Sequence, residues 1–314
     1  MKSILQSHIW AQVQKKLGHT VFEEQGLGWQ FLAILEGSKN LKYLYCPYGP
    51  IAEDKNAFLE AISELKKIAA KNNCIFIRFE PITPAVTTAQ PDAETYLRSL
   101  GAEKSPRHIQ PDATQLIDLS PDSDMLIKSM NSSNRNIYRN IHKKGVTFRT
   151  SQDLNELKFL FKYLDETVAR TGFNRQQNDY LQTVAEVLFP ANAAKLYFAE
   201  YEGEVIAAAL VYDFAGTRVY AHAGSSFEHR KLSAGQALVA NLIMDAKAEG
   251  MDFVDLFGIT TSDDPNHPWA GFTSFKKSYG GESVVWPGTW DMPVSKLKYS
   301  LYKLAYKAKK KLRG

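Results

Sequence analysis

Residues 196–257 read LYFAEYEGEVIAAALVYDFAGTRVYAHAGSSFEHRKLSAGQALVANLIMDAKAEGMDFVDLF, and this stretch decides the fold. Three apolar runs, Leu196–Tyr201, Val205–Phe214 and Arg218–His222, are separated by Glu202-Gly203 and Ala215-Gly216, pairs suited to tight hairpin turns. They predict an antiparallel meander. A loop leads to a helix from about Ala234 to Ala248, stopped by Gly250, and then to a strand at Phe253–Phe257. Upstream, the spacing of apolar residues predicts helices near Leu154–Arg170 and Gln177–Leu188.

The first half repeats this α/β logic. A short amphipathic helix at Ile9–Leu17 precedes extended runs at Trp29–Leu35 and Tyr43–Tyr45, closed by the Pro47–Pro50 turn. Phe58, Ile62, Leu65 and Ile68-Ala69 recur at helical spacing before a strand Cys74–Glu80, which Pro81 stops. Pro81–Pro91 reads as a loop, and Tyr96–Leu100 as a short helix. A strand at Thr114–Leu119 feeds one helix from Ser120 or Pro121 to Gly145, where the domain boundary is expected. Meander, helix and strand in this order resemble the core of the GNAT acyltransferase fold.

At 314 residues the chain is long enough for two domains of roughly 150 residues each. Its 44% hydrophobic and 23% charged residues are ordinary globular values, which excludes a disordered or fibrous chain. No apolar run reaches the roughly 18 residues of a membrane span, and Met1–Trp10 lacks a signal-peptide core, so a cytoplasmic protein is expected. Cys46 and Cys74 sit in apolar surroundings and read as buried thiols. The net charge of +4 is concentrated at one end: 296–314 holds seven Lys, one Arg and no acid, leaving 30 basic against 34 acidic residues elsewhere. Such a tail suits phosphates or anionic headgroups.

No nucleophile elbow, phosphate loop, zinc-binding helix or dinucleotide fingerprint is present. His8, His19, His142 and His267 lack partners at ligand spacing, so no metal and no tightly held cofactor are expected. The glycine-punctuated segment from Tyr220 to Asp291 stands out instead. It contains Tyr220-Ala-His-Ala-Gly224-Ser225-Ser226, Asp255-Leu-Phe-Gly258-Ile259, Gly271-Phe-Thr-Ser-Phe275-Lys276-Lys277-Ser-Tyr279-Gly280-Gly281 and Gly288-Thr-Trp290-Asp291. Glycines at strand ends permit close backbone approach to a ligand, or simply tight turns.

These motifs resemble the Fem family (FemABX), whose members transfer amino acids from aminoacyl-tRNA to the stem peptide of peptidoglycan precursors. Gln110-Pro111, Thr114, Asp118-Leu119, the Arg135-Asn136-Ile137 helix and Tyr48-Gly49-Pro50 complete the resemblance in family order. It implies an α/β (α+β) fold of two tandem GNAT-like domains, residues 1–147 plus 289–314 and residues 148–288, with the C-terminal helix packing back on the first. Lacking a long polar helical hairpin, the chain is similar to the short, armless members, which act on the soluble UDP-linked precursor; a lipid-linked precursor is the other acceptor.

By that resemblance Lys276 is the lysine linked to catalysis, with Lys277 facing the other way if the segment is extended. Arg175 and Tyr180 match the substrate-binding Arg–Tyr pair at a spacing one residue longer. The N-terminal Trp, Val, Lys pattern is met by Trp10 and Val13 but has Gln14 in the lysine position, leaving the phosphate contact to Lys15 or Lys16. Glu80, with Arg78, stands where the family carries a strand-end acid suited to orienting an amine; a surface Arg–Glu pair is the alternative. Tyr220, Ser225 and Ser226 lie where the peptide cavity is lined, and Lys307, Lys309, Lys310, Lys311 and Arg313 are candidates for tRNA.

The expected partners are aminoacyl-tRNA, the muropeptide precursor and, peripherally, the inner membrane face, with the protein a monomer. Arg230-Lys-Leu-Ser-Ala-Gly235-Gln-Ala237 partly resembles a GNAT pyrophosphate loop, so a coenzyme A-dependent acyltransferase is the rival enzyme. A binding protein for RNA or a membrane surface is the rival outside enzymes. In that tail, Leu297, Leu301, Leu304 and Tyr306 form an apolar face that would alternatively dock on the first domain.

Overall fold

The computed structural model describes residues 2–38, 41–89, 92–172 and 175–311, with side chains as far as residue 308. The chain divides into two compact units, Met1–Asp112 with Val285–Gly314, and Ala113–Val284.

The first unit opens with α1 (His8–Lys16), capped by the Ser7 side chain, and continues through β1 (Thr20–Gly26), β2 (Trp29–Ser38), β3 (Leu41–Cys46) and β4 (Ile51–Ala52). Then come α2 (Lys55–Lys71), capped by Asp54, β5 (Phe76–Phe79), α3 (Pro84–Thr87), α4 (Ala93–Ser99) and β6 (Glu103–Lys104). The second unit comprises β7 (Ala113–Asp118), α5 (Ser123–Ser129), α6 (Ser132–Asn140), β8 (Val146–Ser151), α7 (Leu157–Thr171), α8 (Asn178–Leu188), β9 (Ala194–Tyr201), β10 (Glu204–Phe214), β11 (Thr217–Ser225), α9 (Ala234–Ala248), β12 (Phe253–Gly258), α10 (Ala270–Lys277) and β13 (Glu282–Val285). The chain then returns to the first unit as β14 (Trp290–Pro293) and α11 (Lys296–Lys311).

In the first unit the sheet runs β1-β2-β3-β5-β14-β6, with β4 on β2, and α2 lays Phe58, Ala61, Ile62 and Leu65 on it. The returning strand β14 lies between β5 and β6, antiparallel to both. Arg78 on β5 meets Asp291 on β14 in a bidentate pair, Nε to Oδ1 and Nη2 to Oδ2, each 2.8 Å. Both side chains are at most 1% exposed. Tyr299 of α11 donates to Asp291 (2.9 Å) and packs edge-on against Phe76, so the C-terminal helix docks on this unit.

The second sheet has the order β13-β7-β12-β11-β10-β9-β8, with β11 and β12 parallel. Alternation along the strands separates its two faces. Tyr197, Ala199, Ala207, Ala209 and Val211 join the core that surrounds α9, whereas Phe198 turns to the other face and meets Phe159 of α7. Helix α9 is apolar almost all round because it is also flanked by α6.

Several expectations need correction. Residues 113–147 belong to the second unit, because β7 pairs with β12 rather than with any strand of the first sheet. The single helix expected up to Gly145 is broken at Met130–Asn131, where Asn131 caps a new helix through its side chain. Gly145 does close the segment, in the left-handed conformation. The loop expected over Pro81–Pro91, whose last two residues lie outside the described residues, contains the one-turn α3, and β1 adds a strand that the residue pattern does not announce. On α11 the docked face is Tyr299 and Tyr302, while Leu297, Leu301 and Leu304 face solvent.

Removing Asp291 would leave the Arg78 guanidinium buried without its counter-ion, a change that costs roughly 3–5 kcal/mol. Asp291→Ala should lower the urea midpoint accordingly, while Leu297→Ser, at an exposed position, should stay within about 0.5 kcal/mol of wild type.

Candidate functional site

The Phe-Lys segment is helical, not extended. Lys276 sits on α10 opposite the end of β12, and its Nζ donates to the carbonyl oxygens of Phe257 (3.2 Å) and Gly258 (2.7 Å). Both carbonyls are available because β12 breaks its register between Asp255 and Gly258 and Phe257 adopts a left-handed φ of 62°, a conformation rare outside glycine and asparagine. Asp255 holds this turn: its Oδ1 accepts from Phe257 N (2.7 Å) and from the Thr114 hydroxyl. Burial pulls the Lys276 ammonium down to about 8, with nearby Asp255 opposing, and burial pushes the Asp255 carboxyl up. A lysine needs three acceptors. Two are carbonyls of its own fold, which leaves one N–H without an acceptor among the described residues.

Lys277, one position on, is exposed and lines a polar cleft of about 540 Å³ with Asn131, Thr260, Asp263, Asp264 and Ser274. Tyr220 packs against the α9 core, and burial pushes its hydroxyl pKa up. Ser225 is exposed near Gly235 on α9, and Ser226 is buried, 3.1 Å from His229 Nδ1. Gly224 serves the fold rather than a ligand: a Cβ there would stand 2.5 Å from the Tyr163 backbone of α7.

Arg175 lies on the other face of this sheet. Its guanidinium is committed to Asp165 of α7, to the Gln176 carbonyl (2.8 Å) and to Asn178 (2.8 Å). Its charge, after burial, helps hold His222 down to about 4, so this imidazole is neutral. His222 packs edge-on against Tyr212. Tyr180 is part-buried, and burial lifts its hydroxyl to about 12.

In the first unit, Glu80 and Arg78 are not a surface pair. Arg78 is spent on Asp291, while Glu80, 3% exposed, accepts from the Tyr45 hydroxyl (2.7 Å), Gln110 N (2.9 Å) and the Thr289 hydroxyl (2.7 Å). Lys15 pairs with Glu23 (2.9 Å) and Lys16 is exposed; Gln14, in the family's lysine position, is buried against His19. Lys307 is exposed, the side chains of Lys309, Lys310 and Lys311 lie outside the described residues, and so does Arg313 altogether. Among the described residues no three His, Cys, Asp or Glu side chains gather as a metal-binding group, and no helix is long and apolar enough to cross a membrane.

The FemAB family model matches residues 1–204 and 191–307. The chain belongs to the FemAB family. It is 23% identical over 227 residues to a UDP-N-acetylmuramoylpentapeptide-lysine N(6)-alanyltransferase of Weissella viridescens, an alignment spanning 69% of this chain and 67% of that protein. Its fold matches a FemX crystal structure with a TM-score of 0.85 at 18% identity, over 95% and 94% of the two chains. A tandem GNAT protein from the clavulanic acid pathway matches at 0.51 and 12% identity, over 94% and 90%. The FemAB chain is thus built on the tandem acyltransferase architecture.

Sequence reasoning passed over Asp255, Phe257 and Thr114, which shape the turn that receives Lys276, and the buried His222. An acid inside the apolar run Phe253–Phe257 is itself the signal for Asp255, since such an acid is buried only with partners. Nothing in the residue type announces a left-handed Phe257.

Burial raises the Glu80 carboxyl above its ordinary 4.5, so the folded chain keeps a proton there at pH values where the unfolded chain has lost it. This part of the stability therefore falls as pH rises from about 4.5 through the raised value. Glu80→Gln should flatten that decline in urea midpoints measured between about pH 4 and 7; an undiminished slope would assign the decline to other groups.

Proposed function

We propose that the chain moves an aminoacyl group from charged tRNA to an amine of the stem peptide of a UDP-linked muropeptide precursor. Membership in the FemAB family makes it an aminoacyltransferase of interpeptide-bridge synthesis in peptidoglycan. The named substrate of the Weissella relative, a UDP-linked pentapeptide, supports the choice of acceptor.

The observation that carries the mechanism is the Lys276 ammonium, fixed by two carbonyls and short of solvent. The stem-peptide amine, deprotonated, attacks the ester carbonyl carbon. A C–N bond forms, the C–O bond to the ribose breaks, and the amine proton ends on the ribose oxygen. The carbonyl oxygen carries negative charge in between. The remaining Lys276 N–H meets that charge, which is absent from the bound ester, so its contribution falls on the chemical step. Glu80 acts in this reading as a positioning residue, joining β3 to the Gln110 and Thr289 segments.

Lys276→Met should leave precursor affinity nearly unchanged by calorimetry and lower turnover at least about a hundredfold, while Lys277→Met stays near wild type. Equal losses in both variants, or binding of coenzyme A in place of the precursor, would overturn the reading. Since Lys276 is charged only below about 8, the ratio of wild-type to Lys276→Arg turnover should fall about tenfold per pH unit above that value. An inactive arginine variant would instead mark Lys276 as a base.

A further inference from the structure

Helix α11 has two apolar faces, and only one is covered. Tyr299 is buried, and the Tyr302 ring lies tilted against Phe76, 4.9 Å between centroids. Leu297, Leu301 and Leu304 are 74%, 59% and 64% exposed. At about 100° per residue these leucines fall within an arc of roughly 60°, on the side of the helix opposite the tyrosines. Lys296 and Lys307 flank the stripe on one side and Lys298 on the other, and no acid occurs in 296–314. A helix docked by one face ordinarily turns a polar face to water. Here the outward face is leucine bordered by lysine.

We propose that the outward face of α11 docks on an anionic lipid surface, the leucines entering the boundary between headgroups and acyl chains while the flanking lysines meet headgroup phosphates. The charge pattern selects this occupant. RNA phosphates would engage the lysines and leave the leucines in water. A second copy in a two-fold pairing would set the same lysines against each other. The proposal is independent of the transfer chemistry assigned above, because its leucine face uses no residue around Lys276; Lys307, a candidate for tRNA, is the one residue that the two readings share.

The test is flotation of the whole protein with vesicles of phosphatidylcholine alone or mixed with phosphatidylglycerol. Wild type should bind the mixed vesicles at least about tenfold more tightly, less so as salt rises. Leu297→Ser/Leu301→Ser/Leu304→Ser should lose at least about tenfold in vesicle binding with an unchanged melting temperature, unchanged tRNA retention on filters and unchanged transfer to soluble precursor. Lys296→Ser/Lys298→Ser/Lys307→Ser should lose the preference for anionic lipid. The proposal fails if wild type ignores the mixed vesicles, or if the leucine variant binds them as wild type does. It fails equally if the leucine variant sheds tRNA instead, or if sedimentation shows a wild-type dimer that the leucine variant converts to monomer.

Discussion

The ion pair between Arg78 and Asp291 ties together residues 213 positions apart in sequence. It sits in the first sheet where β14, arriving after the whole second unit, is inserted between β5 and β6. A buried guanidinium and carboxylate attract strongly only when their donors and acceptors are fully used, and here the bidentate contact, Tyr299 and Tyr302 use them. The same contact fixes the start of α11, because Tyr299 reaches Asp291 only when the helix lies along Phe76. One sheet and one docked helix thus depend on keeping one pair of charges dry.

The two ionisable groups singled out from the sequence meet opposite fates under the same force. Burial disfavours the charged form of both Glu80 and Lys276. Glu80 answers with four internal donors, the Tyr45 and Thr289 hydroxyls and the backbone amides of Gln110 and Tyr48, and they fill the four acceptor sites of its carboxylate. Lys276 receives two carbonyls for three N–H groups. The residual valence, rather than the burial, separates a group that holds the fold from one that can do chemistry.

Much of this architecture is legible in residue order. The meander, α9 and β12 follow from alternation and from Gly203, Gly216 and Gly250, because those signals are local. The division of the chain is less legible. Nothing near Gly145 announces that β7 pairs with β12, a contact between residues far apart in sequence that only the completed sheet reveals. Lys276 was found by its motif, but its setting was not, since a left-handed Phe257 is imposed by Asp255 and Thr114 from outside the segment. Arg78 illustrates the same limit: beside Glu80 it reads as a surface partner, and its true partner stands on β14.

The insertion of one unit within the other also sets an order of assembly on the ribosome. Residues 113–284 form a continuous stretch that holds every strand of the second sheet but the last position of β13, so that sheet can close as soon as its segment has emerged. The first sheet cannot. Its strands β1 to β6 are synthesised first, yet the edge of β5 stays open until Trp290–Pro293 has been made, and an open edge is a template for wrong pairing. The earlier-made part of the protein is therefore the later to mature.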